Sequence, residues 1–62
     1  MRALNDKEFE DVERLVNAAI HELVFAMHHI GDDMTEDAQD CLTTVSANVS
    51  VIQEMVAAAV RE

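Results

Sequence analysis

The amino-acid sequence predicts an all-α fold, an antiparallel helical hairpin formed by residues 1–62 as a single domain. Two stretches carry apolar residues at steps that alternate between three and four, the spacing that places side chains on one face of a helix. The chain has no proline and one glycine, so almost nothing in it interrupts a helix. A Gly-Asp-Asp break at residues 31–33 separates the two stretches. Two helices of matched length joined by a short turn form an antiparallel pair.

The first helix is predicted over about residues 6–30. Asn5 or Asp6 can cap its N-terminus, since both side chains accept hydrogen bonds from the unpaired backbone N–H groups of a first helical turn. Gly31 is expected to end the helix, because glycine readily adopts the left-handed conformation found just beyond helix C-termini. The apolar stripe of this helix consists of Phe9, Val12, Val16, Ala19, Leu23, Ala26 and Ile30.

A turn over residues 31–34 leads to a second helix, predicted over about residues 35–61. This helix can begin from Asp33, with Glu36 three residues later as in a capping box, or from Thr35. Its apolar stripe consists of Ala38, Leu42, Val45, Val49, Ile52, Val56 and Ala59.

Residues 45–51 also fit a different secondary structure. They alternate apolar and polar side chains as a half-buried β-strand would, and several neighbours are β-branched. A helix is favoured because seven positions fit the helical stripe, residues 55–61 favour a helix, and the chain offers no second strand to pair with.

The two helices carry more apolar residues than a single contact between them can cover. Further apolar side chains widen the face of each helix: Leu15, Ile20, Val24, Phe25 and Met27 on the first, and Val51, Met55 and Val60 on the second. Because exposed apolar patches larger than a few hundred Å² usually mark an interface, we expect a homodimer in which two hairpins form a four-helix bundle. The alternative is that this surface receives a helix of a different protein.

The stripes would supply both the core and the dimer interface of this bundle. The predicted core and interface residues are Phe9, Val12, Val16, Ala19, Leu23, Ala26, Ile30, Leu42, Val45, Val49, Ile52 and Val56. The additional apolar residues are predicted to extend the interface. Asn48 lies beside the second stripe, where a polar side chain can fix the register of helix pairing, and Cys41 is interpreted as a small apolar residue.

The charge of the chain limits its partners. Thirteen acidic and four basic residues give a formal net charge of −9, and the four cations are scattered. Direct nucleic-acid binding requires clustered Lys and Arg to neutralise phosphates, so it is not expected, and neither is docking on an anionic membrane. An acidic surface does permit a basic protein partner.

No stretch of the sequence fits a signal peptide or a membrane-spanning helix. The first residues contain no apolar run, and the longest uncharged stretch, residues 41–53, is too short and too polar to span a bilayer. The single cysteine, Cys41, cannot form an internal disulfide, which is typical of the reducing cytoplasm. We therefore expect a soluble cytoplasmic protein.

Metal-ligand residue types cluster at one place, in His28, His29, Asp32 and Asp33. Adjacent histidines point about 100° apart on a helix, so this spacing does not favour a shared metal ion, and no cofactor is expected. We interpret these four residues, together with His21, as a polar surface that faces a partner. The histidines are also favourable at a helix C-terminus, where a partial negative charge accumulates.

No arrangement of residues indicates catalysis. The sequence contains no Ser-His-Asp or Cys-His arrangement with an evident orienting group and no glycine-rich phosphate loop. A two-helix protein of 62 residues also leaves little room for a concave pocket. The chain is therefore expected not to be an enzyme.

Residues 9–34, FEDVERLVNAAIHELVFAMHHIGDDM, resemble the small, acidic, all-helical accessory proteins encoded in the early regions of lambda-like temperate phages. The resemblance covers about two-fifths of the chain. It implies a non-enzymatic protein made during lytic development, which would act in the host cytoplasm by binding host or phage proteins. It assigns no role to an individual residue.

Three functional hypotheses follow from the sequence. The favoured one is a small regulatory protein that acts through protein–protein interaction as a homodimer, with a host or phage protein as its target. The alternative is an antitoxin- or inhibitor-like helix pair that completes its core on a different, basic protein. The third is a metal-dependent structural or sensor protein that uses residues 28–33.

Overall fold

A computed structural model describes all residues of the chain, 1–62, as two α-helices joined by a turn. Helix α1 spans Asp6–Gly31 and helix α2 spans Thr35–Arg61, which confirms the predicted all-α hairpin. The helices pack side by side, and the hairpin measures 45 × 18 × 10 Å. Residues 45–51 lie within α2, so the β-strand alternative does not form.

A capping box begins α1. The Asn5 side chain accepts a hydrogen bond from the Glu8 backbone N–H at 2.8 Å, and the Glu8 carboxylate accepts one from the Asn5 backbone N–H at 3.0 Å. Two backbone donors at the helix N-terminus are thereby satisfied. Asn5 is therefore the cap, and Asp6 is the first helical residue.

The turn ends α1 in a way that the sequence did not indicate. Gly31 is the last residue of α1 and has no positive φ, whereas Asp33 takes the left-handed conformation at φ 61°. The Asp33 N–H donates to the Ile30 carbonyl oxygen at 3.1 Å, and the Met34 N–H donates to the His29 carbonyl oxygen at 2.8 Å. These are the two hydrogen bonds of a Schellman motif. The expectation that Gly31 supplies the left-handed stop was wrong, because aspartate also tolerates this conformation.

Helix α2 begins without a side-chain cap. Its N-cap residue is Met34, which makes no side-chain hydrogen bond to the first turn. The capping box expected from Asp33 and Glu36 does not form, because Asp33 occupies the left-handed position that ends α1. Thr35 is the first helical residue. Glu36 and Asp37 lie in the first turn, where carboxylates interact favourably with the helix dipole.

Residues that precede α1 close the open end of the hairpin. The Arg2 backbone N–H donates to the Ala59 carbonyl oxygen at 3.0 Å. The Arg2 guanidinium donates two hydrogen bonds to the Glu8 carboxylate, at 2.6 and 2.8 Å, and a third to the Glu62 carboxylate. One arginine thus joins the N-terminal segment, the start of α1 and the end of α2.

Small residues fill the interior of the hairpin. Only four side chains are buried, and all four are alanines: Ala19 and Ala26 on α1, and Ala38 and Ala59 on α2. The distance between packed helices depends on the side chains at the contact, so alanines allow the two backbones to lie close together. The consequence is that little apolar area is removed from water.

The residues at the contact between α1 and α2 form what we call the intrachain interface. They are buried or half-buried and recur at steps of three and four: Glu8, Val12, Leu15, Ala19, Glu22, Ala26 and His29 on α1, and Ala38, Cys41, Val45, Asn48, Ile52, Met55 and Ala59 on α2. The interface therefore includes several polar side chains beside its apolar ones.

Candidate interaction face

The intrachain interface divides each apolar stripe into two sets. On α1, the interface contains the stripe residues Val12, Ala19 and Ala26. The other residues of this stripe are 39–58% exposed: Phe9, Val16, Leu23 and Ile30. On α2, the interface contains the stripe residues Ala38, Val45, Ile52 and Ala59. The other residues of this stripe are 40–44% exposed: Leu42, Val49 and Val56. The two stripes therefore do not face one another as whole units. The alanines determine which side of each helix forms the contact, since their small side chains let the two helices approach closely.

Both exposed sets lie on the same side of the hairpin. Each exposed residue directly follows a residue of the intrachain interface, as Val16 follows Leu15 and Leu42 follows Cys41. One residue corresponds to a rotation of about 100° around a helix. Both sets are thus rotated from the interface in the same sense when each helix is viewed along its own chain direction. Because the helices run in opposite directions, equal rotations carry the two sets to one side.

We call this side the apolar face. Its apolar members are all 39–62% exposed: Phe9, Val16, Ile20, Leu23, Met27 and Ile30 from α1, and Leu42, Val49, Val56 and Val60 from α2. The remaining positions that follow an interface residue are Glu13, Gln39, Ser46 and Gln53. The face therefore carries one charged side chain, in a protein of net charge −9.

The opposite side of the hairpin is polar. It is formed by the residues that directly precede those of the intrachain interface. There the Asp11 carboxylate accepts hydrogen bonds from Lys7 at 2.8 Å and from Arg14 at 2.9 Å, and these cations, Lys7 foremost, hold the pKa of Asp11 below its usual value. The two large apolar side chains of this side are Phe25 and Val51, 54% and 47% exposed.

The additional apolar residues that were expected to widen the apolar face lie on different surfaces. Leu15 and Met55 lie in the intrachain interface. Ile20, Met27 and Val60 lie on the apolar face, as expected. Phe25 and Val51 lie on the opposite side and Val24 lies outside all three surfaces, so for these residues the expectation was wrong.

A cysteine and a glutamate meet within the intrachain interface. Cys41 is unpaired and half-buried. Burial, followed by the nearby Glu22 carboxylate of α1, raises the pKa of the Cys41 thiol, so the nucleophilic thiolate is disfavoured. The sequence offered no signal for this position of Glu22, since a lone glutamate is mostly exposed. Asn48 is also half-buried in this interface, where it can act on helix register.

The residues predicted to face a partner lie around the turn and on the polar side. His21, His28, Asp32 and Asp33 are exposed. His29 is instead half-buried in the intrachain interface, so the expectation that it faces a partner was wrong. The structure contains no group of three or more His, Cys, Asp or Glu side chains that could hold a metal ion, and it contains no pocket. Neither helix combines the length and the hydropathy needed to cross a membrane.

Comparison with known proteins does not assign the chain to a family. No protein-family model, no curated protein and no solved structure matches it.

Proposed function

We propose that this chain is a small, non-enzymatic regulatory protein that acts through protein–protein interaction as a homodimer. In the dimer, the apolar faces of two hairpins pack against each other and complete a four-helix bundle. The observation that supports the proposal is the apolar face: ten exposed apolar side chains on one side of the hairpin, with a single charged residue among them.

The size of the apolar face matches a dimer interface. The ten apolar residues of this face expose on the order of 900 Å² per chain to solvent, against about 800 Å² buried per partner in a standard interface. The largest apolar patch on a typical monomer is about 300–600 Å². A face of this extent is unusual for a protein that remains alone in water.

The small interior of the hairpin gives the second argument. No side chain larger than alanine is buried in a single chain. The hydrophobic core of a domain this small contributes only a few kcal/mol to the free energy of unfolding even when it is well packed. Pairing of two apolar faces would cover the exposed members of both stripes, among them Phe9, Leu23 and Val49. The core of the bundle would then contain large side chains, which contribute most of the free energy of burial.

The distribution of charge favours a second copy over a basic partner as the occupant of the face. Twelve of the thirteen carboxylates lie outside the apolar face, so two copies can pair without bringing many like charges into the contact. Glu13 is the exception. A basic partner would gain most where carboxylates surround the binding surface, and here they concentrate at the ends and on the opposite side.

The cellular process is proposed from the resemblance of residues 9–34 to early-region phage proteins. On that basis, the dimer would bind a host or phage protein in the host cytoplasm and act during lytic development. The exposed residues around the turn, including His28 and Asp32, are the proposed contact surface for that target, since the apolar face is occupied in the dimer.

The proposal is tested by measuring solution mass and helicity together across a dilution series. Light scattering should give a particle of twice the chain mass, and far-UV circular dichroism should show a helical protein whose melting temperature falls on dilution. A monomer that remains helical and melts at the same temperature at every concentration would overturn the homodimer. A weakly helical monomer would do so as well, and would indicate that the missing half of the core belongs to a different protein.

A matched pair of variants locates the interface. Val49 lies on the apolar face and Val51 on the opposite side, with 40% and 47% exposure in one helix. The proposal predicts that Val49→Asp raises the dimer dissociation constant at least about 100-fold, since it buries an unpaired charge. Val51→Asp should leave the dissociation constant within about threefold of the wild-type value. Sedimentation equilibrium measures both, and equal effects of the two substitutions would exclude the apolar face as the interface.

A further inference from the structure

We infer that the two hairpins of the dimer lie with their turns at opposite ends of the bundle, so that α1 packs beside the partner's α1 and α2 beside the partner's α2. This inference rests on the proposed homodimer and adds its orientation. The orientation decides which surfaces stand together at each end of the bundle, and therefore what a target protein would contact.

Two-fold symmetry leaves two ways of pairing the apolar faces. A symmetry axis parallel to the helices places both turns at one end and sets α1 beside the partner's α2. An axis that crosses the helices within the plane of contact places the turns at opposite ends and sets α1 beside the partner's α1. Both arrangements are closed dimers in which each chain uses the same surface.

Apolar burial does not distinguish the two arrangements. Large apolar side chains occupy the face along its whole length, with Phe9 and Val60 toward the chain termini and Ile30 and Leu42 toward the turn. The hydrophobic effect is non-directional and follows the area removed from water. Because both orientations cover the same face, they remove similar apolar areas from water. The two orientations therefore differ mainly in the electrostatic interactions between the chains.

The charges of the hairpin differ between its two ends. Residues 28–40, around the turn, contain five carboxylates and neither lysine nor arginine: Asp32, Asp33, Glu36, Asp37 and Asp40. Residues 1–14 and 54–62, at the open end, contain seven carboxylates and all four cations of the chain: Arg2, Lys7, Arg14 and Arg61. The turn end thus carries a formal charge of −5 and the open end −3, with Glu22 alone in the middle.

Placing the turns at opposite ends separates the two strongest negative charges. Turns at one end would bring two groups of five carboxylates together with no lysine or arginine beside them, and like charges placed together in this way are costly. None of these carboxylates lies on the apolar face, and Asp37 and Asp40 lie on the polar side, so across the dimer they are farther apart than the roughly 8–10 Å between packed helices. The Debye length is about 8 Å at physiological ionic strength and about 30 Å at 0.01 M, so the repulsion between the turns is strongest at low ionic strength. The opposite orientation sets each turn, with its charge of −5, beside the less negative open end of the partner, with its charge of −3.

Distances between spin labels test the orientation. In a chain with Cys41→Ala, a single cysteine is introduced by Thr35→Cys, at the turn, or by Ser50→Cys, near the middle of α2. Both original residues are exposed and lie outside the apolar face. Each variant is labelled with a nitroxide, and pulsed dipolar spectroscopy measures the distance between the two labels of the dimer.

The Thr35→Cys label should give a distance of roughly 40 Å or more, because the hairpin is 45 Å long and the turns would stand at opposite ends. The Ser50→Cys label should give a short distance, below about 30 Å, in either orientation, since neighbouring helices lie about 8–10 Å apart. A short distance for both labels would overturn the inferred orientation and leave the dimer intact. If neither label gives an intermolecular distance, no dimer forms, and the proposed function fails together with the orientation.

Discussion

Asp33 and Gly31 show how single residues shape the turn. Asp33 holds the left-handed position at φ 61°, although this conformation costs most L-residues about 1–2 kcal/mol. Gly31, which could adopt it freely, instead lies within the last turn of α1, where its lack of a side chain only adds conformational freedom to the unfolded chain. A β-carbon at residue 31 would meet no atom within 4 Å. Glycine therefore occupies a helical position at which alanine would give a more stable protein.

Gly31→Ala should consequently stabilise the protein. The expected gain is about 0.5 kcal/mol, or a rise of about 2–4 °C in melting temperature for a domain of this size. Thermal melts followed by circular dichroism measure it at one fixed protein concentration. As a control, Asp33→Ala should destabilise the protein by about 1 kcal/mol, because alanine adopts the left-handed conformation less readily than aspartate. A loss of stability in Gly31→Ala would mean that residue 31 needs the freedom of glycine.

Helix α1 depends on contacts at its first turn that reach beyond the helix itself. Glu8 completes the capping box with Asn5 and also accepts two hydrogen bonds from Arg2, which in turn bonds to the end of α2 through Ala59 and Glu62. The guanidinium of Arg2, followed by the Asn5 backbone N–H, lowers the pKa of Glu8 to about 2. The ionised form of Glu8 thus links the start of α1 to the end of α2.

Stability should therefore depend on pH through Glu8. Its pKa is lower in the folded protein than its ordinary value near 4.5, so its stabilising effect is present above pH 4.5 and is lost as the pH falls toward 2. Glu8→Gln keeps a side chain suited to the capping box but removes the charge. The variant should melt below the wild type at pH 6–7, and the two melting temperatures should converge near pH 2.

Glu10→Gln is the matched control for Glu8→Gln. Glu10 lies in the same part of α1 and is exposed, so its substitution should change the melting temperature little at any pH. A difference between wild type and Glu8→Gln that persists unchanged at pH 2 would contradict an ionic role for Glu8.

Two opposing effects determine the stability of the proposed dimer, the burial of apolar surface and the electrostatic repulsion between the chains. Each chain carries a formal charge of −9, and the proposed dimer brings two such chains together through a face with one charged position. Like-charged copies repel one another over distances near the Debye length, whereas the contact between apolar side chains is insensitive to modest amounts of salt. The balance between these two effects can be measured through ionic strength.

Sodium chloride should strengthen the dimer. Between 20 and 500 mM salt, the dissociation constant measured by sedimentation equilibrium at pH 7 should fall several-fold, because added ions screen the repulsion between the chains. A dimer held together by ion pairs would show the opposite trend. A dissociation constant that rises with salt would therefore contradict pairing through the apolar face.

Much of the hairpin follows from local sequence signals. The apolar periodicity, the polar residues before α1 and the break after residue 30 predict two helices and their turn, because helix formation and capping depend on residues within a few positions of one another. The same locality explains the errors at the turn. Asp33 and Gly31 can both adopt the left-handed conformation, and the sequence does not indicate which of them does so.

The periodicity and composition of the chain specify a helical hairpin with an excess of apolar surface. Which part of that surface lies between α1 and α2 depends on how the two helices pack. The apolar arc of each helix is wider than one helix–helix contact, so periodicity alone permits several rotations of the helices. The rotation observed brings Ala19, Ala26, Ala38 and Ala59 into the interior, because small side chains allow close approach. It leaves the larger residues, such as Phe9 and Leu23, together on the exposed apolar face.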